Sequence, residues 1–181
     1  TTISVSSFPS LDNDGETISL ITDQGLTMHA VNYSINWYKN ELKQQGGWSL
    51  EMIYSKNACG GFVNWAASEN SIGGTPGKKN STESVNADVS FPRLLRAYAT
   101  DSMNIVLVFN EAVDSVNAAI ADNYIINDGI GTAVQAVPLN YLFNSVALRL
   151  PNPLLRNKIY TVTASVMDCY GNAIGASHTA Q

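Results

Sequence analysis

The side chains best placed for chemistry in this chain are carboxylates set around a glycine. In "LDNDGE", Asp12, Asp14 and Glu16 alternate about Gly15, and calcium takes its oxygens from such spacings. The full calcium-loop pattern requires a Glu where Asp23 stands, so the ligand set is incomplete. The competing reading is an Asx-stabilised turn leading into a hairpin. Calcium is thus the one cofactor the sequence offers. A second acidic set, Glu111, Asp114 and Asp168, falls at turn positions and reads as caps rather than ion ligands.

Nucleophilic catalysis needs a base beside the nucleophile. The two histidines are His29, inside a strand pattern, and His178, near the C-terminus. "GWSLE" is not a nucleophile elbow, because Glu51 replaces the second glycine of that motif and no helix follows. His and Cys positions give no zinc spacing. The "DGIGTAVQAV" stretch has a G-x-G, but a strand-like segment follows where a phosphate cradle needs a helix N-terminus. No spacing singles out a carboxylate pair for glycoside hydrolysis. No catalytic residue is expected, and the chain reads as a non-enzyme.

Aromatic side chains remain as binding candidates. Trp48 alternates in phase with Leu50, and Trp65 precedes Ala66 and Ala67; both read as core anchors. Trp37 and Tyr38, in the polar stretch "INWYKNE", together with Tyr33, are the expected binding residues for a glycan or peptide.

Composition narrows the partners. The net charge is −5 over 181 residues. Residues 1–86 carry 5 basic and 8 acidic side chains and residues 87–181 carry 5 and 7, so neither half has a basic footprint for nucleic acid. The longest apolar run, "IVLVF", is far too short to span a bilayer. The start "TTISVSSFPS" carries no Met, basic or apolar leader, which reads as a processed product or excised piece. Cys59 and Cys169 lie in different halves. Two buried thiols are the favoured reading because Cys packs as a small hydrophobe, and a single long-range disulfide is the alternative.

The elements that would carry these residues are almost all strands. "ETISLIT" and "LTMHAVNYS" flank a "DQG" turn as a hairpin, and "WSLEMIY" alternates with Trp48, Leu50 and Met52 on one face. A Gly, Ser and Asn-rich stretch follows and becomes a linker. Then come "FPRLLRAYAT", "SMNIVLVFN", "NYIIND", "AVQAVPL", "SVALRL" and "KIYTVTASVMD", with "EAVDSVNAAIADN" as a helical turn or two. Short strands separated by turn residues point to β-sandwiches.

Particular motifs carry two resemblances. "SFPSLDNDGETISLITDQG", "VNYSINWY", "GGWSLEMI", "NACGGFVNW" and "GGTPGKKNS" resemble the later part of a bacterial lamin-tail domain over about residues 7–81. That family is an immunoglobulin-type sandwich whose opening strands hold an "INE" motif and an L-S-G-W turn. Neither occurs here. "IVLVFNEAVD", "NYII", "VALRL" and "IYTVTASVMDCYGN" resemble a bacterial Ig-like domain over about residues 91–178. Tyr160 is expected to bond back to the backbone at a corner of that sandwich.

The expected fold is all-β: two tandem immunoglobulin-like β-sandwiches, the first lacking its N-terminal strands. Residues 1–81 form the lamin-tail-like domain, 82–90 a linker and 91–181 the Ig-like domain. The expected function is a non-catalytic structural or binding module of a bacterial cell-surface or secreted protein, in the cell envelope or outside the cell. It would act as a spacer and present loops to a protein or glycan partner. Strands missing from the first domain would be supplied by another chain or fragment. The alternatives are an accessory module of a secreted hydrolase and a calcium-dependent adhesion module.

Overall fold

A computed structural model describes residues 10–25, 27–139 and 141–181. The opening residues of the first expected domain, including Ser7, Phe8 and Pro9 of the lamin-tail resemblance, lie outside the described residues. The chain divides into two compact units: residues 1–53 with 61–84, and residues 54–60 with 85–181.

The first unit is built on two antiparallel pairs. β1 (Thr17–Ile21) pairs with β2 (Thr27–Asn32), and β3 (Leu50–Met52) pairs with β4 (Trp65–Ala67). The turn before β1 needs its glycine. Gly15 has φ +141°, and a Cβ there would lie 2.4 Å from the Tyr33 carbonyl oxygen. β1 and β2 place Ile18 opposite Val31 and Leu20 opposite His29. Ile18 and Leu20 remain 40% and 59% exposed, so this hairpin does not bury its apolar side within the unit. Between the pairs, residues 35–38 form one 3₁₀ turn and α1 (Glu41–Gln44) one helical turn. Each is capped locally: the Ser34 side chain accepts the Asn36 N–H, and Asn40 accepts those of Leu42 and Lys43.

The second unit is a sandwich of two four-stranded antiparallel sheets. One has the order β5 (Leu94–Ala99), β6 (Asn104–Phe109), β10 (Ser145–Arg149), β9 (Gln135–Leu139). The other has the order β12 (Thr179–Ala180), β11 (Val162–Ala164), β7 (Tyr124–Ile126), β8 (Gly131–Thr132). The period-2 alternation read from the sequence sets what goes inside. Leu107, Val146, Leu148, Tyr124, Val162 and Ala164 are all buried and belong to one core. Each fully buried aliphatic side chain contributes about 1.5–3 kcal/mol. Register aligns Leu107 with Val146 and Ile105 with Leu148. Pro138 sits on β9, an edge strand, where its missing N–H disrupts no ladder.

The helical stretch is as short as its composition suggests. α2 (Ser115–Ala118) is capped by Asp114, whose carboxylate accepts the Asn117 N–H at 2.7 Å. Tyr160 does bond to the backbone: its hydroxyl accepts the Leu155 N–H at 3.0 Å. A second tyrosine, not singled out by sequence, does so deeper inside. Tyr124 is fully buried and donates to the Ala118 carbonyl at 2.8 Å. Burial pushes that phenol far up.

The cysteines overturn the reading of two buried thiols. Cys59 and Cys169 are joined in a disulfide across 110 residues, and both are exposed. Cys59 lies on the short excursion 54–60 that belongs to the second unit. The packing argument for free cysteines presumes burial and does not apply at either exposed position.

Candidate functional site

The aromatic candidates change places. Trp37, expected at the surface, is the buried tryptophan, at 8% exposure. The 3₁₀ turn that starts at the Ser34 cap points its ring inward, where it lies 6.1 Å from Trp65, tilted by 37°. Trp48 and Trp65, expected in the core, are only half-buried. Lys43 reaches over Trp48 with its ammonium 4.6 Å from the ring centre, and the same ammonium donates to the Ser68 carbonyl at 2.7 Å. Lys39 does likewise, 4.5 Å from the Phe62 ring and 3.0 Å from the Trp65 carbonyl. Tyr38 donates to the Trp48 carbonyl at 3.0 Å. A stacking platform at Trp37 and Tyr38 is thus occupied by the unit's own packing.

Strand β3 also inverts its expected faces. The buried residue is not Leu50 or Met52 but Glu51, at 4% exposure. Its carboxylate accepts the Thr75 hydroxyl at 2.6 Å, the Ser81 N–H and hydroxyl at 2.7 Å each, and the Thr82 N–H at 3.3 Å. Burial on its own would raise this carboxyl. The hydrogen bonds from Thr75, Ser81, Ser68 and Thr82 outweigh it and bring the group from 4.5 down to about 2. The loop that delivers these donors turns at Gly73, with φ +88°, where a Cβ would lie 1.9 Å from the Gly47 carbonyl oxygen.

Tyr33 joins the acidic turn. Its hydroxyl bonds to the Asp12 carbonyl and lies 3.2 Å from Glu16 Oε1, while that same oxygen accepts the Asp12 N–H at 2.8 Å. Asp12 Oδ1 accepts the Asp14 N–H at 3.0 Å. Two of the three carboxylates expected to hold calcium therefore hold the turn. Tyr33 is raised above its ordinary value by desolvation and by Glu16.

Among the described residues, three carboxylates do converge elsewhere. Oxygens of Asp88, Glu111 and Asp168 all lie within 4.8 Å of one another. Asp168 is buried and accepts the N–H groups of Tyr170, Gly171 and Asn172 at 2.9, 2.8 and 2.8 Å, while Asn172 Nδ2 bridges its other oxygen to the Asp88 carbonyl. Asp168 and Asp114 cap turns, as the sequence suggested, whereas Glu111 faces two other acids. Desolvation raises its carboxyl, with Asp88 and Asp168 adding to the rise and Asn110 and Arg93 opposing it. The cluster favours a proton or a positive charge. Asp88 had no sequence signal, since it meets the other two only through tertiary structure.

The closed second unit, with its two antiparallel sheets, single aliphatic core and buried tyrosine, defines an immunoglobulin-like sandwich. A family model described as bacterial Ig-like domain matches residues 80–181, and the chain belongs to that family. The N-terminal part of the bacterial S-layer protein SbsC is similar at 23% identity, over 49% of this chain and 22% of that one, with a TM-score of 0.44. Domains 1–6 of the same surface-layer protein are similar at 24% identity, over 51% of this chain and 13% of that one, with a TM-score of 0.42. This chain spans less than a quarter of the length of either. No curated protein matches it. Among the described residues no helix is long and apolar enough to cross a membrane.

Proposed function

We propose that this chain is a non-catalytic module of a bacterial cell-surface or secreted protein, serving as a spacer that presents loops to a protein or glycan partner. The observation that carries this reading is the Cys59–Cys169 disulfide on a bacterial Ig-like sandwich. Disulfides persist in oxidising compartments, and an exposed one would be reduced in most cytosols. The lamin-tail resemblance of the first unit draws support from one physical link. Glu51 of "GWSLE" is bonded to Thr75 and Ser81 of "GGTPGKKNS", so the two motifs form one structural piece.

The test is protease shaving of intact bacteria that express the parent protein. Peptides from residues 85–181 should be released before lysis, with Cys59 and Cys169 blocked to alkylation until reduced. Their recovery from the cytosolic fraction alone would overturn the reading. Turnover of esters, glycans or nucleic acids by purified 1–181 would overturn its non-catalytic part.

A further inference from the structure

A cavity of about 280 Å³ opens within the second unit, between its two sheets. Its floor is core: Ile105 of β6 from one sheet, Ile126 of β7 and Val162 of β11 from the other. On β5, Ala97 lines it with only a methyl group. Segment 154–160 forms an outer wall, where Ile159 lines the cavity yet stays 74% exposed. An aliphatic cavity of about 150 Å³ takes one benzene, so this one has room for roughly two fused rings or an alkyl body of similar bulk.

The lining is apolar except along that wall, where two donors stand close together. The Lys158 ammonium lies 5.2 Å over the Tyr160 ring and 3.8 Å from Asp128 Oδ2. The Lys158 and Asp128 side chains are 38% and 44% exposed. An ion pair this long and this solvated holds weakly, so the ammonium keeps donors for a second carboxylate. The Tyr160 hydroxyl accepts the Leu155 N–H at 3.0 Å, and among the described residues its own proton has no acceptor. Aliphatic walls with a few convergent polar groups are the make-up of small-molecule sites.

We propose that this cavity binds a small monocarboxylate with a compact apolar body, aryl or branched alkyl. The body rests on Ile105, Ile126 and Val162, and the carboxylate accepts from the Lys158 ammonium and the Tyr160 hydroxyl. A neutral molecule of the same shape forfeits the charged hydrogen bond. A dicarboxylate brings its second charge against the aliphatic floor, where nothing pairs with it. The Ig-like unit thereby carries a ligand of its own, which a spacer does not need.

The probe is 2-naphthoate, titrated into the intact chain at pH 7 and followed by NMR amide chemical shifts. Saturable shifts should cluster at residues 97–99, 105, 126 and 154–162, with a Kd of about 1 mM or tighter. The uncharged 2-naphthamide should bind about fivefold more weakly. Lys158→Met keeps the stem without the ammonium, so 2-naphthoate should fall to the level of the amide while the amide is unaffected. Ala97→Leu pushes a larger side chain into the cavity and should weaken both probes at least about tenfold. Should that variant fail to fold, the exposed Lys158→Met still decides. The absence of saturable shifts up to about 10 mM would overturn the proposal. So would shifts centred on β1 and β2 instead of the cavity. Equal affinity for the two probes, or a Lys158→Met chain that binds both as wild type does, would overturn the assignment to carboxylates.

Discussion

Glu51 and Ser81 meet across 30 residues of chain, the carboxylate accepting both the N–H and the hydroxyl of the serine at 2.7 Å. A buried anion stands here in place of an apolar strand residue, and its ionisation ties the stability of the first unit to pH. The folded carboxyl sits at about 2 against an ordinary 4.5, so the unfolded chain binds more protons between those values. The stabilisation is therefore full above about pH 4.5 and is lost as the pH falls through about 2. A shift of that size corresponds to about 3 kcal/mol. Glu51→Gln should cost about 2–3 kcal/mol at pH 7 and far less near pH 2, read by urea denaturation at both values. Equal losses at both would rule out the ionised group as the cause.

Thr82 donates its N–H to Glu51, yet its hydroxyl oxygen is buried with no hydrogen-bond partner. An unpaired buried hydroxyl costs about 1–3 kcal/mol, and an apolar group of the same shape removes that cost. Thr82→Val should therefore raise the melting temperature of the chain, and calorimetry decides it.

Trp37 and Trp48 should separate cleanly on truncation. Trp37→Ala empties a buried site beside Trp65 and should cost about 3–5 kcal/mol. Trp48→Ala removes a half-buried ring under Lys43 and should cost under about half as much. Chemical denaturation of the two variants side by side gives the ranking, and the reverse order would contradict the packing described.

Glu111 is raised, which reverses the sign found for Glu51. Its folded form holds a proton to higher pH than the unfolded chain, so its contribution to stability declines as pH rises through its folded value. Glu111→Gln should stabilise the protein at pH 7 by about 0.5–1 kcal/mol and should lose that advantage below the ordinary carboxyl range. Added salt should stabilise wild type more than the variant, because it screens Asp88 and Asp168.

The second unit was largely legible in the sequence, because alternation in segments such as "IVLVF" and "VALRL" fixes which side chains enter a two-sheet core. The first unit was not, for a specific reason. Its strands are three residues long at β3 and β4, too short for a period to carry information, and the buried member of β3 is charged. Trp37 lies on a single 3₁₀ turn, where ring direction follows the Ser34 cap and the left-handed Lys39 rather than any repeat. Hydropathy sees a polar stretch there. Likewise Asp88 sits in residues read as linker, and only tertiary contact places its carboxylate beside Glu111 and Asp168. Residue type alone points a cysteine inward, while Cys59 and Cys169 both lie on exposed turns.

The excursion 54–60 also has a consequence in time. Cys59 leaves the ribosome 110 residues ahead of its partner, a delay of roughly 5–20 s at ordinary rates of synthesis. Through that interval the sandwich that will receive the segment does not yet exist, and Cys59 waits without Cys169. The bond that ties the earlier segment to the turn at 168–172 can form only once Cys169 has been made, so oxidation reports that synthesis has passed that turn. A chain stalled before Cys169 leaves Cys59 as a thiol, and any quality-control step that senses thiols can tell it from one that has passed Cys169.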